Sequence, residues 1–230
     1  MASVLIDMSI NAWYCSTMPN SHLQIDAKRD VKAAIFDAAC RVIRDRGFHQ
    51  ARVTDIAREA GTSYGLVYHY FGSKADLFDA IFNEWWSGLF GLMEELEAQT
   101  ISSREKLAAI LDHFLSEYEA RPELVHIFVT EISRSTPNLT PERLEFFKEF
   151  FRRTERIIAQ GQRDGVLRKD MKARYLTYIF VGAMEGFLSA MVLANQPLKG
   201  KGQKQNIASA LLDVFFNGAR SMCGSTPSQA

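Results

Sequence analysis

The chain has 230 residues, with 27 basic and 27 acidic side chains, 47% apolar and 23% charged residues. That is an ordinary globular composition, and zero net charge excludes a protein that coats nucleic acid indiscriminately. Cys15, Cys40 and Cys223 are scattered without a C-x-x-C spacing, which excludes a disulfide framework or a cysteine zinc site and suits a reducing cytoplasm.

Residues 1–26 contain no Lys or Arg and lack the basic start and long apolar run of a secretory signal. They are expected to form a poorly ordered extension, and Met18 is a candidate alternative start of translation. From there Val31, Ile35, Ala38, Ala39, Val42 and Ile43 recur at three-and-four spacing, predicting a first helix ended by Gly47. Val53, Ile56, Ala57 and Ala60 mark a second, capped by Thr54 or a neighbour and stopped at Gly61. Ser63 caps a third, in which only Val67 and Phe71 form a buried stripe. Gly72 stops it, and Ser73 with Asp76 has the spacing that caps a fourth.

Helix, glycine turn and helix, with aromatic residues left outward, is a layout for entering a DNA major groove. Tyr64, Gly65, Tyr68 and His69, with Leu66 beside them, are candidates for base and sugar contacts. Thr62, Ser63, Tyr70 and Lys74 are candidates for phosphate contacts. Between Ala27 and Lys74 there are nine Lys/Arg against five Asp/Glu, a net +4, a local basic end on a neutral chain.

These residues carry a resemblance. From about Val31 to Trp85, AAIFDAACRVIRDRGF and then VTDIAREAGTSYGLVYHYFGSKADLF resemble the DNA-binding domain of the TetR family of bacterial transcriptional repressors. The specific part is G-x-[aliphatic]-Y-x-[Y/H]-F-x-x-K following an I-A-x-x-A-G helix. The resemblance implies a dimeric, small-molecule-responsive repressor with one all-helical ligand domain. One departure is Arg52–Val53–Thr54, where the family more often has Ser or Thr just before the apolar residue.

Beyond Lys74 the apolar pattern runs on through Leu77, Phe78, Ile81, Phe82, Trp85, Leu89, Phe90, Met93 and Leu96. It predicts one long helix that leaves the DNA-binding unit and couples it to the rest. Ser102 and Glu105 start another helix, to about Ala120. Pro122 opens the next, to about Arg134. Thr140 and Pro141 open a long helix to Gly165. Asp170 leads into the apolar stretch Tyr175–Ala194, and residues 197–204 are expected to be a flexible basic loop before a last helix from about Gln205 to Met222. Tyr175–Ala194 is long enough to span a bilayer, but Glu185 at its centre would be costly in hydrocarbon. A helix buried on most of its circumference is the better reading, and no membrane partner is expected.

The fold class is therefore all-α. Residues 1–26 form the extension, 27–75 the helix-turn-helix domain, 76–223 a helical ligand-binding and dimerisation domain, and 224–230 a tail. Gly182 and Gly186, four apart, with Leu211 and Phe215 on the last helix, are the candidate homodimer interface.

No Gly-rich phosphate loop, nucleophile elbow or metal-spaced His/Cys cluster occurs, so no cofactor, metal or catalytic residue is expected. The enzymatic alternative is a cryptic site built from His113, His126, Glu131 and Glu185. The rival from another class is a DNA-organising or interaction module without a ligand. The favoured reading is binding: Trp85, Phe90, Met93, Phe114, Tyr118, Phe128, Phe147 and Tyr178 are candidates to line an adaptable apolar pocket. Its occupant would be a small hydrophobic effector, with a fatty acid or acyl-CoA as the leading class. The whole describes a cytoplasmic repressor that leaves a near-palindromic double-stranded DNA operator when the effector binds.

Overall fold

A computed structural model describes residues 21–132, 140–198 and 200–218, and all the regular structure among them is helical. The predicted disorder of residues 1–20 and the Met18 start lie outside the described residues. So do the tail and the end of the last helix.

The first helix, α1 (Ser21–Arg46), begins earlier than the charge pattern suggested, so residues 21–26 belong to a helix and not to an extension. Ile35, Ala38, Ala39 and Ile43 are buried along one side of it. Gly47, at φ 76°, lets the chain leave the helix in a left-handed conformation that costs other residues more. Cys40 is buried on α1, and burial pushes its thiol up to about 12, which keeps it protonated and unreactive.

Two short helices follow, α2 (Val53–Glu59) and α3 (Tyr64–Phe71). The expected Thr54 cap is not formed: Arg52 takes the N-cap position without a side-chain bond, and Val53 is the first helical residue. Burial of Val53, Ile56 and Ala57 against α1 holds this short helix instead, since isolated helices this short are unstable. Ser63 caps α3 by accepting from the Leu66 N–H at 3.3 Å. Val67 and Phe71 are the buried stripe of α3.

Ser73 caps α4 (Lys74–Ala98) by accepting from the Asp76 N–H at 3.0 Å. This helix has 25 residues, about 37 Å at ~1.5 Å per residue. Its buried side runs unbroken from Leu77 to Leu96, so its first turns complete the core of the DNA-binding unit and its last turns enter the second core.

That second core is built by α5 (Ser103–Ala120), α6 (Pro122–Ile127), a π-helical segment (Phe128–Ile132), α7 (Pro141–Arg163), α8 (Ala173–Leu193) and α9 (Gly200–Gly218). A full capping box between Ser102 and Glu105 opens α5, and Thr140 with Pro141 opens α7. Two expectations are corrected. Helix α6 does not run on regularly, because the ladder slips into a π turn at Phe128. The basic loop is shorter than 197–204, because α9 already begins at Gly200.

Helix α8 is apolar and long enough to cross a membrane, with a mean hydropathy of 1.7. Its other face packs on α7 and α9, burying Leu176, Phe180, Met184 and Leu188. The DNA-binding unit joins the second core along α4 and also where α1 meets α6. There Arg44 donates to Glu123 at 2.7 Å, and the Glu131 carboxylate lies against Gly47.

Candidate functional site

The reading head is set by which residues of α3 the fold leaves over. Val67 and Phe71 face inward, so helical rotation turns Tyr64, Gly65, Tyr68 and His69 to solvent. Tyr64 is 51% exposed and Tyr68 37%, far more than a packed corner between two helices would leave two tyrosines. Their rings lie 4.8 Å apart, and the Tyr64 hydroxyl donates to that of Tyr68 at 3.1 Å. Leu66 and Tyr70 are half-buried on the flanks. Nothing lies within 4 Å of where a Cβ on Gly65 would be, so this face is open to an approaching groove.

The phosphate candidates sit at the two ends of this helix. Thr62 closes α2, its N–H donating to the Ala57 carbonyl at 2.9 Å, and Ser63 is engaged as the α3 cap. The Lys74 ammonium lies 4.6 Å above the Phe48 ring and donates to the His49 carbonyl at 3.2 Å. Partial burial holds its pKa below the ordinary lysine value. Lys74 is thus tethered to the α1–α2 turn, with two of its three donors still available.

Much of the local positive charge is neutralised in place. Arg46 and Arg58 both pair with Asp55, and Arg41 pairs with Glu59. Exposed pairs of this kind contribute little stability, but those of Arg46 and Arg41 join α1 to α2. Arg52, exposed and without an ion pair among the described residues, is a cation of this unit that the motif did not single out.

An apolar cavity of the second domain lies between five elements. Trp86 of α4 and Phe114 of α5 form one wall; Phe128 and Val129 of the π segment form another. Phe147, Phe150 and Phe151 of α7 and Val181, Met184, Glu185 and Leu188 of α8 complete it. Its free volume is only about 40 Å³, room for little more than a water molecule or two at ~30 Å³ each. The rings explain this: Phe128 stacks on Trp85 at 4.1 Å, and Trp86 meets Phe147 edge to face at 4.9 Å.

Of the eight pocket candidates, Phe114, Phe128 and Phe147 line this cavity, and five do not. Trp85 supports Phe128 from behind. Phe90 stacks on Trp86 at 5.3 Å, outside the lining. Met93 is ordinary core at 1% exposure. The Tyr118 hydroxyl is spent on the Gln196 carbonyl at 2.8 Å. Tyr178 is 52% exposed and meets only the edge of Phe151. Apolar spacing identifies helices with a buried face, but not which flank faces the void; α8, expected to be buried on most of its circumference, is only about half buried.

The groups of the enzymatic alternative are divided. His126 and Glu131 belong to the seam with the DNA-binding unit, where Arg44 and Asp45 act on His126. His113 sits against Gly88 of α4, and Glu185 is in the cavity. No group of three or more His, Cys, Asp or Glu that could hold a metal occurs among the described residues.

Residues 35–81 match the model of bacterial regulatory proteins of the tetR family, and residues 82–213, more than half of the chain, match the C-terminal region of YsiA-like proteins. The chain belongs to the tetR family. It is a DNA-binding transcriptional regulator with an all-helical second domain. This tetR-family regulator is 27% identical over 191 residues to the fatty acid metabolism regulator protein of Bacillus subtilis, spanning 83% of this chain and 96% of that one. Its fold is similar to that of the transcriptional regulator FadR from Bacillus subtilis, solved in complex with stearoyl-CoA. The TM-score is 0.69 at 24% identity, over 81% of this chain and 98% of that one. It is also similar to AibR, solved with isovaleryl coenzyme A and operator DNA, with a TM-score of 0.65 at 20% identity over 81% and 98% of the two chains.

The regulator's candidate dimer residues differ in their exposure. Gly182 and Gly186 are exposed on α8 with nothing within 4 Å of an added Cβ. Tyr175, Ile179 and Leu193 extend that face. Phe215, however, is 6% exposed and packs on Phe180 of the same chain at 5.3 Å; it is core, and Leu211 is half-buried. The outward apolar residue of α9 is Val214, 76% exposed. The motif of apolar residues on α9 could not separate Phe215 from Val214, because neighbours in sequence lie about 100° apart on a helix.

Proposed function

We propose that this protein is a cytoplasmic repressor that binds a near-palindromic operator as a homodimer and is released when a long-chain acyl thioester enters the α4–α8 cavity. The observation that carries the reading is the cavity itself. It is walled by aromatic and aliphatic side chains with Glu185, has little free volume, and is built in part on α4, which starts in the DNA-binding unit, and on the π segment, whose Glu131 lies against Gly47. The stearoyl-CoA and isovaleryl coenzyme A held by its two structural relatives support the ligand class.

The mechanism follows from the small free volume. An acyl chain enters only if rings move, and Trp86 and Phe128 are the walls with consequences elsewhere. Trp86 lies on α4, three turns from Lys74. Phe128 and Val129 lie on the π segment, whose Glu131 bears on Gly47 at the end of α1. Opening the cavity therefore strains both joints between the domains. The effector binds the opened form better and shifts the population towards it. In the empty dimer Tyr64, Gly65, Leu66, Tyr68 and His69 face base edges and sugars. Thr62, Ser63, Tyr70 and Lys74 hold phosphates, with the two α3 helices about 34–36 Å apart.

Fluorescence anisotropy of the full-length protein on the DNA upstream of its own coding sequence tests this. Specific binding that palmitoyl-CoA releases is expected. Specific binding untouched by palmitoyl-CoA, despite saturation of the protein with it, would overturn the mechanism.

A further inference from the structure

Two of the residues that line the cavity carry polar groups, and these differ in kind. Glu185 is the one ionisable residue of its lining; it is half-buried and has no ion pair or hydrogen bond with the described residues. Trp86 supplies a neutral donor: its indole N–H is buried and without a hydrogen-bond partner, a group that natural interiors seldom leave unused. No Lys, Arg or His lines the cavity.

A carboxylate head carried into this site would meet an anion across a wall of rings, where like charges repel more strongly than in water. No cation is present to offset its desolvation. A neutral carbonyl meets no such repulsion, and it can accept from the Trp86 N–H. We infer that Glu185 is a specificity-determining residue, which makes the cavity reject free long-chain carboxylic acids and accept their neutral acyl derivatives. This rests on the acyl-effector reading above and adds the residue that decides between two forms of the same chain. A regulator so built reports on activated acyl groups and ignores the acids from which an acyl-activating reaction makes them.

The test is a tryptophan-fluorescence titration of the full-length protein at neutral pH with laurate, methyl laurate and lauroyl-CoA. The ester isolates the head charge from any contact made by the nucleotide. The native protein is expected to bind methyl laurate at least about tenfold more tightly than laurate. Glu185→Gln is expected to abolish most of that preference by strengthening laurate relative to the ester. Glu185→Asp, which keeps the charge, is expected to keep the preference, and this separates charge from packing. Equal binding of laurate and ester by the native protein overturns the assignment without any variant. So does a Glu185→Gln protein that loses affinity for both alike. In either case the acyl reading survives. A native protein that binds none of the three ligands overturns the acyl reading as well.

Discussion

Lys74 shows how one side chain serves fold and function together. Its ammonium is held over Phe48 and against the His49 carbonyl, which aims it beside the start of α4. Lys74→Ala is expected to weaken binding to operator and to unrelated DNA alike, and to lower the salt slope of log K by about one. Salt titrations of binding to both DNAs check this, and a loss confined to the operator would contradict it. Two half-buried histidines make a second prediction at this scale. Burial, the main cause, holds both His113 and His126 below the ordinary imidazole value of 6.5, and Arg44 lowers His126 further. As pH falls, the unfolded chain therefore takes up these protons first. The stability they contribute is complete above about pH 6.5 and is lost as pH drops from there through the lowered values of the folded protein. Urea midpoints should fall across that window, and a His113→Gln/His126→Gln double variant should flatten the fall.

Among the elements, the π segment and the end of α1 form a joint distinct from the long lever of α4. The segment carries cavity walls, Phe128 and Val129, within three residues of Glu131 at Gly47, and α6 just before it is tied to α1 by the Arg44–Glu123 pair. A π turn is a common device where a helix must present side chains off the regular register. Arg44→Ala is expected to leave operator affinity and effector affinity each within a few-fold of native. The factor by which effector weakens operator binding should shrink by about fivefold, the size of ~1 kcal/mol of coupling. Anisotropy with and without saturating palmitoyl-CoA measures that factor; an unchanged factor would assign the coupling to α4 alone.

For the whole molecule the open question of geometry is what covers the outer face of α8 and α9. Tyr175, Ile179, Gly182, Gly186 and Leu193 are exposed on α8, and Val214 is exposed on α9, and apolar groups gathered on a surface often mark an interaction site. A second copy related by two-fold symmetry would bury it and set the spacing of the two reading heads. Val214→Glu combined with Gly186→Arg is expected to give a folded monomer by sedimentation, with native helical content by circular dichroism and operator binding lost. A dimer that persists would place the interface elsewhere.

What the sequence by itself determined was local. The caps at Ser63, Ser73, Ser102 and Thr140, the stops at Gly47 and Gly61, and the outward set Tyr64, Tyr68 and His69 follow from chemistry within a turn or two. So does the reading of a helix-turn-helix regulator. The start of α1 at Ser21, the π slip at Phe128, the cavity lining and the inward turn of Phe215 did not follow. On helices as apolar as α4 and α8, composition favours burial on every flank. Only the packing of five elements around one void decides that Trp86 and Glu185 face it, while Met93 and Tyr118 are buried elsewhere and Tyr178 stays exposed.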